Sequence, residues 1–225
     1  MFNFNDIAKI GGWLTEKEGF FLYSTARKVK KENFIVEIGS WRGKSTICLG
    51  KGSIEGNKPK VYAIDPHVGS SEHQKKFGKV DTFDSFKDNI KKAGVDNYVT
   101  PIRDTSENAA KSFTDPVEFV FIDGAHEFRF VRLDFKLWFP KIINGGSIAF
   151  HDSWHYFGPH LASAIPLLVS SKVNNPKLID TITYFEKVEK NSYIDRINNV
   201  IFLISRLFFG VIGSIEINTK GAVFK

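Results

Sequence analysis

The 225-residue sequence has one cysteine, Cys48. An intramolecular disulfide is therefore impossible, and a metal site built on several thiolates is excluded. A basic start followed by an apolar core is missing from MFNFNDIAKIGG, so no secretory leader is expected and a cytoplasmic protein is the simplest reading. Linkers rich in Pro, Ser and Gly, internal repeats and low-complexity tracts are also absent, which favours one domain with a substantial core. The formal net charge is +6, but the lysines are scattered over 28–31, 75–79 and 91–92. Nowhere are they interleaved with aromatic residues as on a nucleic-acid surface, so no nucleic-acid partner is expected.

The chain does contain short apolar runs alternating with amphipathic segments. Thr15 followed by Glu18 reads as a capping box opening a helix over 15–30. FIVEIGS, VYAID, YVTPIRD, VEFVFIDG and SIAFHD read as five strands. Between them, helices are expected over 44–49, over 82–93 with Asp81 as cap and Gly94 as stop, and over 128–142 ending before Gly145–Gly146. The polar stretch 67–80, which holds His67 and His73, suits a loop over a site. Final strands are expected around 178–188. Strands of this length alternating with helices predict a doubly wound, mostly parallel α/β sheet, which binds ligands at the carboxyl ends of its strands.

Carboxylates fall at those ends. Glu37 lies in the first strand, and Asp65, Asp104, Asp123 and Asp152 close the next four. One such Asp would merely begin a turn. Several on one rim repel each other and need cationic or hydrogen-bonding partners, which a ligand or metal ion supplies.

The first loop, Gly39-Ser40-Trp41-Arg42-Gly43-Lys44-Ser45-Thr46, joins strand to helix. Trp41 holds the place where a dinucleotide fingerprint requires its second glycine. A P-loop needs four residues before Gly-Lys-Ser/Thr, and this chain has three, so a P-loop-like nucleotide-binding enzyme is the rival reading. Read with Glu37, the pattern resembles motif I of class I S-adenosylmethionine (SAM)-dependent methyltransferases, in the variant of catechol-type small-molecule O-methyltransferases. The resemblance spans 12–187 and implies a Rossmann-like, seven-stranded sheet. It also implies that Glu37, Gly39, Ser40, Trp41, Gly43, Ser45 and Asp123 surround the cofactor, that Asp65 takes the ribose hydroxyls, and that Asp104-Thr105-Ser106 meets adenine. Two carboxylate oxygens can accept both hydroxyls of a ribose diol.

Methyl transfer to an alcohol needs a base or a Lewis acid. The segments Asp123-Gly-Ala-His126 and His151-Asp152 resemble those of metal-dependent sugar O-methyltransferases of macrolide pathways. The resemblance implies Asp123 and Asp152, with His151 in a position where that family carries a carboxylate, as ligands of Mg2+ or another divalent cation, and His126 as general base. The acceptor is then a hydroxyl of a small molecule or sugar. His155 and His160 read as substrate-loop or solvent residues.

Residues 1–190 are expected to form the SAM-dependent domain and 191–225 an amphipathic appendage. In the latter, from Tyr193 to Ile212, Ile194, Ile197, Ile201, Ile204 and Phe208 recur at helical spacing, with Arg196, Asn199 and Arg206 on a different face. Arg206 interrupts the run as a bilayer span. This extra C-terminal helix is expected to pack on its own domain or a second subunit, or to lie in a membrane interface. A non-catalytic, membrane-docked or scaffolding protein of the same fold is the other rival.

Overall fold

The computed structural model describes residues 2–70, 74–75 and 78–221. His73 and its neighbours in the expected loop lie outside the described residues. Seven strands form one sheet: β1 (Phe34–Ile38), β2 (Lys60–Ile64), β3 (Val99–Ile102), β4 (Val117–Ile122), β5 (Ile142–Phe150), β6 (Val173–Ile179) and β7 (Ile182–Lys187). Their spatial order is β3-β2-β1-β4-β5-β7-β6. All neighbours from β3 to β5 pair in parallel, and β7 runs antiparallel to both β5 and β6. The sheet grows outward from β1 to β3, then resumes on the other side with β4. A crevice at that reversal is the usual ligand site of such sheets.

The helices are α1 (Glu16–Ala26), α2 (Lys44–Glu55), α3 (Phe83–Lys92), α4 (Ser106–Ser112), α5 (Phe128–Trp138), α6 (Phe157–Val169) and α7 (Tyr193–Gly221). Strand side chains alternate between two cores. Ile35, Phe119, Phe121 and Ala149 join residues of α1, α2 and α3. Val36, Val120, Ile122, Ile148 and Phe150 join Ala110 of α4, Trp138 of α5 and Leu167 of α6. Period-two burial on both faces explains why the strands read as continuous apolar runs.

The capping box is present: the Thr15 hydroxyl accepts from the Glu18 backbone, and a Glu18 oxygen accepts from the Thr15 backbone. Elsewhere the boundaries shift for identifiable reasons. The second helix was expected to end at residue 49, but α2 runs through Gly50 and Gly52 to Glu55. A Cβ on Gly52 would lie 2.2 Å from the carbonyl oxygen of Tyr23, and one on Gly50 2.8 Å from Val95. These glycines let elements pack closely rather than stopping the helix. Likewise α5 ends at Trp138, before a short turn containing Pro140, which cannot continue helical hydrogen bonding. The strand β5 begins at Ile142 and runs through Gly145–Gly146.

Two helices lacked a sequence signal. The first, α4, has seven residues, too few for a readable period. In α6, Pro159 and Pro166 mask the pattern, although proline is tolerated in a first turn, where the N–H has no intrahelical partner.

Candidate active site

The turn after β1 is built by backbone geometry. Gly39 has φ +87°, and a Cβ there would sit 2.1 Å from the carbonyl oxygen of Asp123. Only glycine lets β1 and β4 meet this closely at their ends. Trp41, at φ 46°, donates its backbone N–H to Asp65 Oδ2 at 2.8 Å, and His67 donates its own to Asp65 Oδ1 at 2.6 Å. Asp65 thus ties the loop after β1 to the loop after β2. Gly43, with φ +87°, caps α2. The side chain of Asn89 in α3 holds the Arg42 carbonyl, and Lys44 reaches the Gly12 carbonyl.

Two cavities open at this edge and meet at Gly39, Trp41, Asp123 and Gly124. The second, of about 540 Å³, runs between β1 and β4 over Asp65, Thr105, Ser106 and Asp134. The first, of about 600 Å³, is bounded by Ser40, Ser45, His126, His151, Asp152 and Tyr156. Glu37 and Gly43 stand behind the walls. The carboxylate of Glu37 is fully buried and accepts from the Thr46 hydroxyl, while its Oε1 has no hydrogen-bond partner. Burial pushes this carboxyl up to about 8.

The acid after β3 does not take the position expected of it. Asp104 is exposed, lines neither cavity, and spends Oδ1 on the Thr105 N–H and the Asn108 amide. Its neighbours Thr105 and Ser106 do line the second cavity. Asp134 of α5, which sequence reasoning missed, supplies a carboxylate there instead. It is buried, and that burial raises its carboxyl to about 6. A lone acid within FRFVRLDFKLW was the available signal.

Around the first cavity, His126 Nε2 lies 3.3 Å from Asp152 Oδ2, and its ring stacks on Tyr156 at 3.8 Å between centroids. His151 is turned differently from a metal ligand. Its Nδ1 faces Asp123 at 2.9 Å and Asp152 at 3.3 Å, and its Nε2 faces Glu18 at 3.3 Å. With both ring nitrogens on carboxylates, His151 has no lone pair directed at an ion. Among the described residues, the group whose donor atoms lie within 4.8 Å of one another comprises Asp123, His126 and Asp152. Burial alone would lower His151, but the charge and hydrogen bonding of Asp123, with hydrogen bonds from Asp152 and Glu18, raise it well above the usual histidine value. His151 therefore bridges the carboxyl groups of Glu18, Asp123 and Asp152, and burial pushes that of Asp123 upward. The same contacts, with His126, hold Asp152 well below the ordinary carboxylate range despite its burial.

Glu18 does more than cap α1. Besides Thr15 and His151, it accepts from the Thr181 N–H at 2.9 Å and the Thr181 hydroxyl at 2.6 Å in the β6–β7 turn. Burial alone would raise its carboxyl, yet His151, Thr181 and Thr15 bring it down to about 2. A folded-state value below the unfolded one, near 4.3, means stability present above that value and lost as pH falls toward about 2. Glu18→Gln is expected to cost about 1–3 kcal/mol at neutral pH. Denaturant unfolding of both proteins should show the gap closing on acidification; a gap constant from pH 7 to 3 would contradict this account.

Sheet order, the antiparallel β7 and a glycine turn facing Asp65 across the crevice define the class I methyltransferase fold. Residues 36–153, more than half of the chain, match the family described as Methyltransferase domain, and the chain belongs to that family. It is 31% identical over 140 residues to the uncharacterized protein R132 of Acanthamoeba polyphaga mimivirus, a match covering 60% of this chain and 58% of that protein. Among solved structures, the O-methyltransferase NovP aligns with a TM-score of 0.64 at 14% identity, over 77% of this chain and 80% of its own. An O-methyltransferase from Bacillus cereus in complex with S-adenosylhomocysteine (SAH) aligns at 0.61 with 16% identity, over 82% and 90%. TomG from Streptomyces achromogenes, an O-methyltransferase in complex with SAM, aligns at 0.59 with 16% identity, over 78% and 82%.

Proposed function

We propose that the protein transfers the methyl group of SAM to a hydroxyl of a small-molecule acceptor, a sugar-like polyol being the class the sequence resemblance favours. The observation that carries this reading is the pair of cavities joined at Gly39 and Asp123, one suited to an adenosyl group and one containing His126 and Asp152. Family membership and the O-methyltransferases sharing the fold support it.

The residues fit such a ligand. Each Asp65 oxygen already accepts one backbone N–H and retains a lone pair for a ribose hydroxyl. Thr105, Ser106 and Asp134 offer polar groups to an adenine, with Asp134 in the acceptor role expected of Asp104. Glu37 Oε1 is buried without a hydrogen-bond partner, and a nearby ammonium group would favour its charged form. When bound, SAM supplies an activated methyl group on sulfur.

An alcohol is a poor nucleophile until its proton is removed. Asp152 accepts from the Nε2–H of His126, which puts the imidazole lone pair on Nδ1. That nitrogen takes the acceptor's proton as oxygen bonds to the methyl carbon and the carbon–sulfur bond breaks. The His151 ring, facing both through Nδ1, keeps Asp123 and Asp152 in place.

A second reading follows from the donor atoms of Asp123, His126 and Asp152, which suit a divalent cation such as Mg2+. His126 would then bind the ion rather than take a proton. Calorimetry and a transfer assay separate these cases. SAH should bind and ATP should not, and transfer should be unchanged by EDTA. Loss in EDTA restored by Mg2+ supports the second reading. Binding of ATP but not SAH removes methyl transfer altogether.

A further inference from the structure

We propose that a second copy of this chain covers the exposed face of α7, giving a homodimer built on paired C-terminal helices. Along its described side chains, this helix sets Phe202 and Leu203 against the core together with two polar residues. Asn199 is buried and donates to the Val173 carbonyl. Arg206 is only 2% exposed, donating to the Ser163 hydroxyl and the Ser153 carbonyl. The aliphatic side faces solvent: Ile194 is 69% exposed, Ile197 44%, Ile201 57% and Ile204 49%. Tyr193, Val200 and Leu207 flank this stripe and are also exposed.

Among the described residues, no helix is long and apolar enough to cross a membrane. The choice therefore lies between a lipid surface and another protein. Spacing favours a helix as occupant. The four isoleucines are three, four and three residues apart. That 3.5-residue period forms a seam for a facing helix, whereas an interfacial helix needs a broad apolar arc flanked by several cations. Among the described side chains of this helix, Arg196 is the one exposed charge, with half-buried Asp195 beside it.

Charge and area favour a second copy. A chain of net charge +6 meets its twin with least repulsion on an uncharged face, and a two-fold axis pairs one such face with itself. Taking roughly 150–200 Å² for a fully exposed large apolar side chain, the face presents on the order of 700 Å². That exceeds the patch typical of a monomer and approaches the about 800 Å² per partner of a standard interface.

Light scattering on the full chain at tens of micromolar tests this. The wild type should have twice the chain mass, and Ile197→Glu and Ile201→Glu should each halve it. Both side chains face solvent, so unchanged circular dichroism and SAH binding should accompany the loss. Ile201→Cys should cross-link between copies under oxidation, since Cys48 is buried. A monomeric wild type, a dimer untouched by both glutamates, or monomers that float with phosphatidylglycerol vesicles through this face would overturn the proposal.

Discussion

Replacing His126 by alanine is expected to lower methyl transfer by roughly 10²–10⁴-fold, the range for loss of a positioned acid–base group. SAH affinity should stay at the wild-type level, because His126 borders the acceptor cavity and not the one over Asp65. The loss should fall on kcat, since a proton-accepting group acts as the acceptor reacts rather than as it docks. The pH profile sharpens the test. If Asp152 orients the imidazole through Nε2 at 3.3 Å, then Asp152→Asn should lower the rate as well, with the acidic limb of kcat/KM displaced. Near-normal turnover in His126→Ala, or a defect confined to SAH binding, would remove His126 from the base role.

The second large effect concerns Gly39, and its origin is steric rather than chemical. Alanine there must adopt φ +87° and place a Cβ 2.1 Å from the Asp123 carbonyl oxygen. That oxygen belongs to backbone at the end of a central strand and cannot swing aside. The positive φ contributes about 1–3 kcal/mol of strain, and the overlap adds to it. A total above about 3 kcal/mol would lower Tm by on the order of 10 °C in a chain of this size. Gly94 is the control: its φ is +67°, but nothing lies within 4 Å of a Cβ there. Gly94→Ala should cost only the conformational part. Thermal unfolding of both variants decides the matter, and equal losses would show that strand closure at Gly39 does not depend on the missing Cβ.

The residues of this site differ in how far local sequence determines their role. The Gly39–Gly43 turn could be read because its signal is local: an apolar run, a glycine, a polar helix start. The same holds for Asp65, Asp123 and Asp152, each ending a recognisable strand. Glu18 could not be read in full. Its capping role satisfies a sequence motif within three residues, whereas its bonds to His151 and Thr181 span 133 and 163 residues. His151 was expected beside a cation on the strength of its neighbour Asp152. It became instead a hydrogen-bonded link between acids, because α1 brings Glu18 to its far side. Asp104 and Asp134 exchange expected places for a related reason. A short helix begins just after Asp104 and uses its carboxylate locally, while the fold of α5 over β4 delivers Asp134 to the crevice.

The C-terminal helix makes the same division most sharply. Helical period and the apolar stripe through Ile194, Ile197, Ile201 and Ile204 were determined by residue order alone, as were strand number in the central sheet and the acids at its rim. Which side of that helix meets the domain was decided only by tertiary structure. Where α7 crosses the domain, Asn199 joins Asn191 on the Val173 carbonyl, and Arg206 joins His160 on the Ser153 carbonyl. These bonds, with Phe202 and Leu203 packed on the core, fix the inward side, since a buried amide or guanidinium left without acceptors costs free energy, and the isoleucine stripe was left to water.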